Sequence, residues 1–542
     1  MSDFPSLYEL SLDAVAECFR NRIPPTHHVE IIPKVQKDIF ETVMNLHEYC
    51  YNAHTKALIE MLQPTKLKLR FNGIREGTFA EIRKLKLTEL RILNYELISK
   101  YSVPKTEQGA STDPSKCDFR ISRFLHDILS PETKQGLRVL HIPWSKEDLV
   151  LLRLNWDGSF EGNWMEEVSS MFPNLEELNI EGRNMCATGF TNLCNNLPHL
   201  RSPDISYNNI KNLNGISKLQ NLDCLNIRGL SFETKKDIKE LFELKQLKQL
   251  EFGDNARNWN YEWFFEKPHA ELATLGIRWE YAHNGFLRKI RQKLPKLQTV
   301  ITYDTEITQA AAHPKFSLYT VETIEAFLAA SKYFRSQSNL EEVGEVFEYF
   351  GIYGSRRDIE DEFTPELMAL MINELEAVIR DFKLSRRVLP GSVEHFLTHL
   401  PEFINGIDNQ PNVDKLRIMN ILLMDLENHL EKRTSPKFGG FDILCIGINA
   451  LIKTTENFNV DKVCSLTMKT IIYAGGALEW EEICVEILDS LIDRMEFSSE
   501  YYKIINFLKL HGSLENIQKR TDLLPEQKAG VGNVLRFVEL FM

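Results

Sequence analysis

Two histidines, His395 and His399, stand four positions apart in a stretch predicted to be helical, a spacing that would let both imidazoles bind one metal ion. The residues between them, Phe-Leu-Thr, lack the glutamate that the HExxH motif of zinc proteases supplies as general base. A pair of surface histidines is therefore the favoured interpretation.

Other patterns that could support catalysis are incomplete. Gly530-Val-Gly532 has the first two glycines of a nucleotide-binding loop, but no strand is predicted before it and the third glycine is missing. There is no phosphate-binding P-loop, no GxSxG elbow and no Cys/His pair in a catalytic context. Acidic clusters such as Glu360-Asp361-Glu362 and Glu481-Glu482 are expected to be solvated. The sequence predicts no enzyme, no cofactor and no metal site; a hydrolase or transferase hidden in the helical half remains a minor alternative.

The composition indicates folded domains, and the net charge argues against nucleic acid as a general partner. With 542 residues, 43% of them hydrophobic and 26% charged, the chain is too long for one core and should form two or three units. A formal charge of −13 gives no general footprint for nucleic acid, although a local basic patch stays open. Nine scattered cysteines without a CxxC pair suit a reducing compartment, and no signal peptide or membrane span is expected. We expect a cytoplasmic protein, with the nucleus as an alternative.

The elements that organise the chain are internal repeats between about residues 137 and 305. Cores of the form LxxLxL/I/F begin at Leu175, Leu222, Leu247 and Leu272, with weaker members at Leu137, Leu200 and Leu297. From Leu175 onward the repeats start 22 or 25 residues apart, within the range of about 20–29 residues that is typical of leucine-rich repeats. In each core two apolar residues, such as Leu178 and Ile180, share one strand face and require a stacked neighbour to bury it. A solenoid is predicted, with helical stretches such as residues 234–242 outside the sheet.

Some segments depart from this pattern. Pro203 occupies a strand-leucine position, and because proline donates no ladder hydrogen bond, pairing should be interrupted or bulged there. Residues 67–71 and 87–92 are predicted to be irregular early coils, residues 102–116 a polar surface loop, and residues 308–315 a junction.

The rest of the chain is predicted to be helical. One helix should have Thr364 as N-cap and Pro365 at its first position. Its apolar face would comprise Leu367, Met371, Leu375, Val378 and Phe382. Nine or ten such helices would fit an armadillo or HEAT-like stack, with an ordinary globular helical domain as the alternative because no strict period is visible. The predicted fold is an α/β leucine-rich-repeat solenoid followed by an all-α armadillo/HEAT-like domain, in three parts: residues 1–60, 61–310 and 317–542.

The first forty residues are unusually apolar for a terminal tail. Residues 6–15, Ser-Leu-Tyr-Glu-Leu-Ser-Leu-Asp-Ala-Val, resemble the BC-box, a helix that places one apolar face in a groove of elongin C. Leu7, Ser11 and Val15 match its face, with Ser11 where the motif prefers cysteine. Further on, Ile32-Pro33-Lys-Val35-Gln-Lys-Asp-Ile39 resembles a cullin-two box, although Val35 follows the proline one residue early. An amphipathic helix that caps the open end of the solenoid is the alternative.

The order of these parts resembles the zyg-eleven / zer-one family, whose members are substrate receptors of cullin-two ubiquitin ligases. The stretch after the repeats, residues 321–334, is also similar to that family's first armadillo helix. The resemblance implies binding of elongin C with elongin B through Leu7, Ser11 and Val15, and of cullin-two through Ile32, Pro33, Val35 and Ile39. It also implies that target proteins bind the helical half, with the leucine-rich coils mainly as a rigid spacer.

The helical region is shorter than is typical of that family, and the family's pocket for glycine-first N-termini is matched at no residue. We therefore expect glycine-first peptides to bind poorly. The predicted function is a non-catalytic substrate-recognition subunit that recruits proteins for ubiquitination. The alternative is a leucine-rich-repeat/armadillo scaffold with no ligase connection.

Overall fold

The protein divides into two compact units, Met1–Glu322 and Thr323–Met542. The computed structural model describes residues 63–70, 76–94, 101–104, 117–143, 160–253, 269–278, 282–303, 305–356, 364–384 and 412–432, with single positions from 393 to 467. In this described part of the chain, no helix is both long and apolar enough to cross a bilayer.

The first unit is organised around a parallel sheet that follows chain order. Its described strands are β1 (Lys66–Arg70), β2 (Glu89–Asn94), β5 (Val139–His141), β6 (Glu177–Asn179), β7 (Ser202–Asp204), β8 (Cys224–Asn226), β9 (Gln249–Gly253), β10 (Thr274–Arg278), β11 (Thr299–Tyr303) and β12 (Ser317–Tyr319). A separate antiparallel pair joins β3 (Ser102–Pro104) to β4 (Cys117–Phe119). Each strand of the main sheet belongs to a different coil of a leucine-rich-repeat solenoid.

Short helices connect these strands. The α-helices are α1 (Glu76–Ile82), α2 (Ile121–Ile128), α3 (Pro131–Gly136), α4 (Trp164–Met171), α5 (Ala187–Asn196) and α6 (Asn284–Ile290). The 3₁₀ helices span Ile216–Lys218, Lys235–Glu243 and Gln309–Ala311. Thr234 caps the second of these in a reciprocal capping box with Asp237.

The leucine spacing sets the register of the solenoid. Leu225 pairs with Leu250, Leu250 with Leu275, and Leu275 with Val300, so equivalent positions of successive coils lie side by side. All four are buried in one continuous core. The predicted repeat cores are confirmed, and so are the two early coils at β1 and β2, whose ladder has an irregularity after Leu69.

Pro203 weakens the ladder on one side only. Strands β6 and β7 pair over three residues, with Leu178 opposite Pro203, whereas β7 and β8 pair only at Asp204 and Asn226. Ile205 donates its N–H to the following coil, so by the alternation of a strand position 203 would donate the same way. The missing proline N–H therefore accounts for the shortened ladder, as the sequence predicted.

Two segment predictions need correction. Residues 102–104, predicted as part of a surface loop, form β3, and the remainder of that loop lies outside the described residues. The solenoid was predicted to end near residue 310, but β12 continues the sheet through Ser317–Tyr319 and the unit boundary follows Glu322. β12 was missed because Ser317-Leu-Tyr contains only one leucine of the repeat pattern.

The described residues of the second unit are mostly helical. They include α7 (Ile324–Ser336), α8 (Leu340–Arg356), α9 (Pro365–Leu384) and α10 (Asn412–Lys432). Thr364 caps α9, accepting a hydrogen bond from the Leu367 N–H at 3.3 Å, as predicted. The predicted apolar face is buried at four of its positions, whereas Leu367 is half-buried.

Aromatic packing and an ion pair connect the helices of the second unit. Phe327 of α7 stacks on Phe350 of α8, with ring centroids 4.3 Å apart. Arg335 donates two hydrogen bonds to the buried Glu374 of α9, at 2.8 and 3.1 Å. Arg335 also donates to Asp381 of α9 at 2.6 Å, so α7 and α9 are joined by one guanidinium group with two carboxylate partners.

Candidate protein-binding surface

The side of the sheet opposite the leucine core, called here the open face, is built from the residues that alternate with buried ones along each strand. Lys66, Glu89, His141 and Asn179 occupy such positions, next to the fully or nearly fully buried Leu67, Leu90, Leu140 and Leu178. Because the coils are in register, open-face residues of neighbouring strands form rows across the sheet.

Glu89 joins two cations at the start of the open face. Its carboxylate lies 2.5 Å from Lys66 Nζ and 2.8 Å from Arg91 Nε. Burial of Glu89 disfavours its charged form, but hydrogen bonds from Lys66 and Arg91 outweigh that effect and lower its pKa. Glu89 is therefore ionised, and it is held in place by two cations that are more exposed than it is.

The next two strands continue with an acid–imidazole contact. Arg91 of β2 is in register with His141 of β5. Glu177 lies on the following strand, β6, and is in register with Ser202 of β7. His141 Nε2 lies 3.9 Å from the Glu177 carboxylate, and this contact lowers the pKa of Glu177.

A polar network centred on Asp204 occupies the middle of the open face. Asp204 accepts hydrogen bonds from the Ser206 hydroxyl at 2.5 Å and from the Asn226 amide at 3.0 Å. Desolvation by surrounding groups raises the pKa of Asp204, although Arg228 opposes the shift. The carboxylate is held in place by its neighbours.

Toward β10 the network contains two arginines around one carboxylate. Glu251 Oε2 lies 3.8 Å from Arg228 Nε and 4.0 Å from Arg278 Nη2. Arg278 also lies over the Tyr303 ring, 5.0 Å from its centroid. At Gly276 an added Cβ would lie 2.8 Å from Glu251 Cγ, so glycine leaves the space that this side chain fills.

This arrangement suits recognition by hydrogen bonds and ion pairs. Carboxylates, amides, an imidazole and the exposed guanidinium group of Arg91 lie along the open face at the strand spacing of about 4.8 Å, whereas Arg228 and Arg278 are buried. Repeat proteins bind partners on such extended faces. Within the described residues, no three His, Cys, Asp or Glu side chains are placed to hold a metal ion.

Burial raises the pKa of two described cysteines of the solenoid, the buried Cys194 and the half-buried Cys224 of β8. The pKa of Cys194 is raised to about 12 and that of Cys224 is raised as well, in each case mainly by desolvation. Both thiols are held in the protonated form, which disfavours nucleophilic attack and metal binding.

The sequence-predicted site residues lie outside the described residues. These are the elongin-binding Leu7, Ser11 and Val15 and the cullin-binding Ile32, Pro33, Val35 and Ile39. His395, His399 and the Gly530–Gly532 segment lie outside them as well. The open-face residues were not singled out from the sequence, yet a signal existed: they are the polar positions that flank the second leucine of each repeat core.

Comparisons with known proteins identify one curated relative and several solved structures. No family model matches the chain. Gastrulation-defective protein 3 of Caenorhabditis elegans is 26% identical over 233 residues, which cover 42% of this chain and 31% of that protein. The matched segment thus spans about a third of the relative's length.

Two internalins of Listeria monocytogenes are loosely similar in structure to part of this chain. Internalin C2 is 14% identical with a TM-score of 0.23, covering 49% of this chain and 83% of that chain. InlF is 15% identical with a TM-score of 0.24, covering 59% and 98%. The assignment of a leucine-rich-repeat fold rests on the strand register and the leucine core described above.

Proposed function

We propose that this protein is a substrate-recognition subunit of a cullin-two/elongin BC ubiquitin ligase. The observation that carries the proposal is the pairing of a long in-register solenoid, whose open face is polar, with a following helical unit. Both kinds of element serve protein binding. The likeness to Gastrulation-defective protein 3 and the resemblance of the N-terminal motifs to a BC-box and a cullin-two box support the ligase connection.

The proposed chemistry is proximity rather than bond making. A receptor that holds a target beside a charged ubiquitin-conjugating enzyme raises the effective concentration of the target's lysines. Leu7, Ser11 and Val15 would bind elongin C on one helix, and Ile32, Pro33, Val35 and Ile39 would bind cullin-two on another. The helical half, as an armadillo-like stack, would hold the target.

The sharpest test of the ligase connection is a single charge placed on the elongin-binding face. Leu7→Asp would bury a carboxylate in an apolar groove, which costs several kcal/mol, so elongins B and C should no longer co-purify with the full chain. Glu9→Lys changes charge on the opposite face of the expected helix and should leave co-purification intact. Unchanged elongin recovery with Leu7→Asp would show that the motif assignment is wrong.

The second candidate is a scaffold of the same architecture without a ligase connection, favoured by the same repeat geometry. Affinity purification of the unmodified chain with mass spectrometry separates the two. A ligase receptor must recover elongins and a cullin, whereas a scaffold would recover other partners only.

A further inference from the structure

The first three strands of the main sheet concentrate basic residues on the open face. Lys66 precedes the buried Leu67 on β1, and Arg91 lies between the buried Leu90 and Ile92 on β2, so both occupy open-face positions. Lys68 is in register with Arg91, and Arg91 with His141 of β5. We call the face formed by these strands the basic face. Among the side chains that the structure describes on this face, Lys66, Arg91 and His141 accompany the acid Glu89.

The cations of the basic face remain accessible. The side chain of Lys66 is 43% exposed and that of Arg91 is 39% exposed, whereas Glu89, which contacts both, is only 14% exposed. One carboxylate thus fixes an ammonium and a guanidinium group, and both side chains stay partly exposed to solvent. Held in this way, these cations lose less conformational entropy when an anion binds.

This local charge is opposite to that of the molecule. The chain carries a formal charge of −13, and further along the open face the same row continues with Asn179, Asp204, Asn226 and Glu251. Lys66 and Arg91 share the single carboxylate of Glu89, so among the described side chains of this face one of their two positive charges is left without a matching anion. The basic face is therefore complementary to an acidic ligand at one end of the sheet only.

We propose that the basic face binds a short, extended acidic segment of a partner protein. The row from position 68 through Arg91 to His141 spans two strand spacings, about 10 Å, which lies between the separations of about 7 and 13 Å for same-side carboxylates two and four residues apart in an extended chain. Glu177 borders the row on the next strand and would repel the continuous phosphate backbone of a nucleic acid. A partner peptide needs only two or three acidic side chains and can be polar beyond them.

The proposal can be tested by fluorescence anisotropy on the full chain. The probe is a labelled peptide of alternating glutamate and serine, with lysine–serine and glutamine–serine peptides for comparison. We expect the glutamate peptide alone to bind, with an affinity that falls as salt is raised. Lys66→Glu together with Arg91→Glu should weaken it about tenfold or more, because each change replaces attraction by repulsion.

Two further variants keep this result interpretable. Lys248→Glu with Lys296→Glu makes the same charge change at exposed lysines that pair with Asp223 and Glu271, and should bind like the unmodified chain. Lys66→Gln with Arg91→Gln removes the cations but leaves hydrogen-bond donors beside Glu89, and should weaken binding severalfold while circular dichroism at the assay temperature shows that the variant is still folded.

Three outcomes would overturn the proposal. They are absence of glutamate-peptide binding to the unmodified chain, equal binding by the Lys66/Arg91 variants and the Lys248/Lys296 control, and tighter binding of single-stranded oligothymidylate than of the peptide. None of them bears on elongin recovery, so failure here and failure of the ligase assignment are distinguishable.

Discussion

Glu240 links two neighbouring coils of the solenoid through one carboxylate. From the 3₁₀ helix Lys235–Glu243 it accepts hydrogen bonds from the Gly215 N–H at 2.8 Å and the Ser217 hydroxyl at 2.6 Å, where the preceding 3₁₀ helix begins. Burial of Glu240 disfavours ionisation, but these hydrogen bonds outweigh it and its pKa lies below the ordinary value of 4.5. The contact therefore needs the ionised carboxylate.

Glu240→Gln should destabilise the solenoid in a pH-dependent way. Because the folded-state pKa of Glu240 is lowered, its stabilising effect is complete above the unfolded-state pKa and is lost as the pH falls through the folded-state pKa. We expect Glu240→Gln to lower the free energy of unfolding by about 1 kcal/mol at neutral pH, and the difference to shrink as the pH falls below 4.5 and to vanish below the folded-state pKa. Urea unfolding across this range measures it, with the exposed Glu243→Gln as control. A constant difference at every pH would contradict the assignment.

Thr302 places a hydroxyl in the leucine core. It is in register with Ile277, which is in register with Phe252, and it is 1% exposed. Its Oγ1 finds no hydrogen-bond partner in the structure as far as residues are described. A buried hydroxyl without a partner costs free energy relative to a methyl group of the same shape.

Thr302→Val should therefore stabilise the first unit, raising the free energy of unfolding by about 1 kcal/mol. The matched control is Thr133→Val. Thr133 is equally buried, but its hydroxyl donates to the Leu85 carbonyl at 2.7 Å and accepts from the Leu87 N–H at 3.1 Å. That substitution should lower the free energy of unfolding by about 2 kcal/mol. Effects of the same sign at both positions in chemical denaturation would refute this account.

At the scale of elements, stacking of coils depends on close backbone approach at a few glycines. Gly253, at the end of β9, has a φ of +124°, and an added Cβ would lie 1.8 Å from the Arg278 carbonyl oxygen of the next coil. Its own carbonyl accepts a hydrogen bond from the Gly229 N–H of the preceding coil at 2.7 Å. Both neighbouring coils thus fix the position of this residue.

Gly253→Ala should be among the most disruptive single-methyl changes in the solenoid. Backbone strain and the clash with β10 together should lower the free energy of unfolding by about 3 kcal/mol or more. Gly136→Ala is the control, because its Cβ would make an ordinary contact 3.7 Å from the Leu87 carbonyl oxygen. Similar melting temperatures for the two variants in differential scanning calorimetry would contradict the role of Gly253.

The elements that the sequence predicted well are those with repeated apolar spacing. Leu225, Leu250 and Leu275 share one period, so the spacing of the leucines alone was enough to infer their strands and the register between them. The three-residue strands β3 and β12 could not be inferred, because a single apolar residue such as Leu318 sets no period. The contacts on the open face were harder still to predict, because contacts such as those of Glu251 with Arg228 and Arg278 join residues from three coils and depend on the register.

At the scale of the whole molecule, the order of parts carries the functional proposal. In the proposed subunit, the two N-terminal motifs would bind the ligase and the helical unit would bind the target. The solenoid with its polar open face lies between them in the chain order. The proposed elongin and cullin contacts use different residues, Leu7 with its neighbours and Pro33 with Val35. A substitution in one of these two contacts should therefore release one partner and leave the other bound.

Pro33→Ser combined with Val35→Ser should therefore release cullin-two while elongins B and C remain bound. The substitutions remove the apolar-Pro pair and the apolar residue that resemble a cullin box, and leave the BC-box-like helix unchanged. Co-purification from cells, with cullin and elongin quantified in the same eluate, measures the split. Lys34→Ser lies between the two positions and should leave both partners bound. Loss of both partners in the double variant would indicate that the N-terminal region had unfolded, and full retention of cullin would remove Pro33 and Val35 from its binding site.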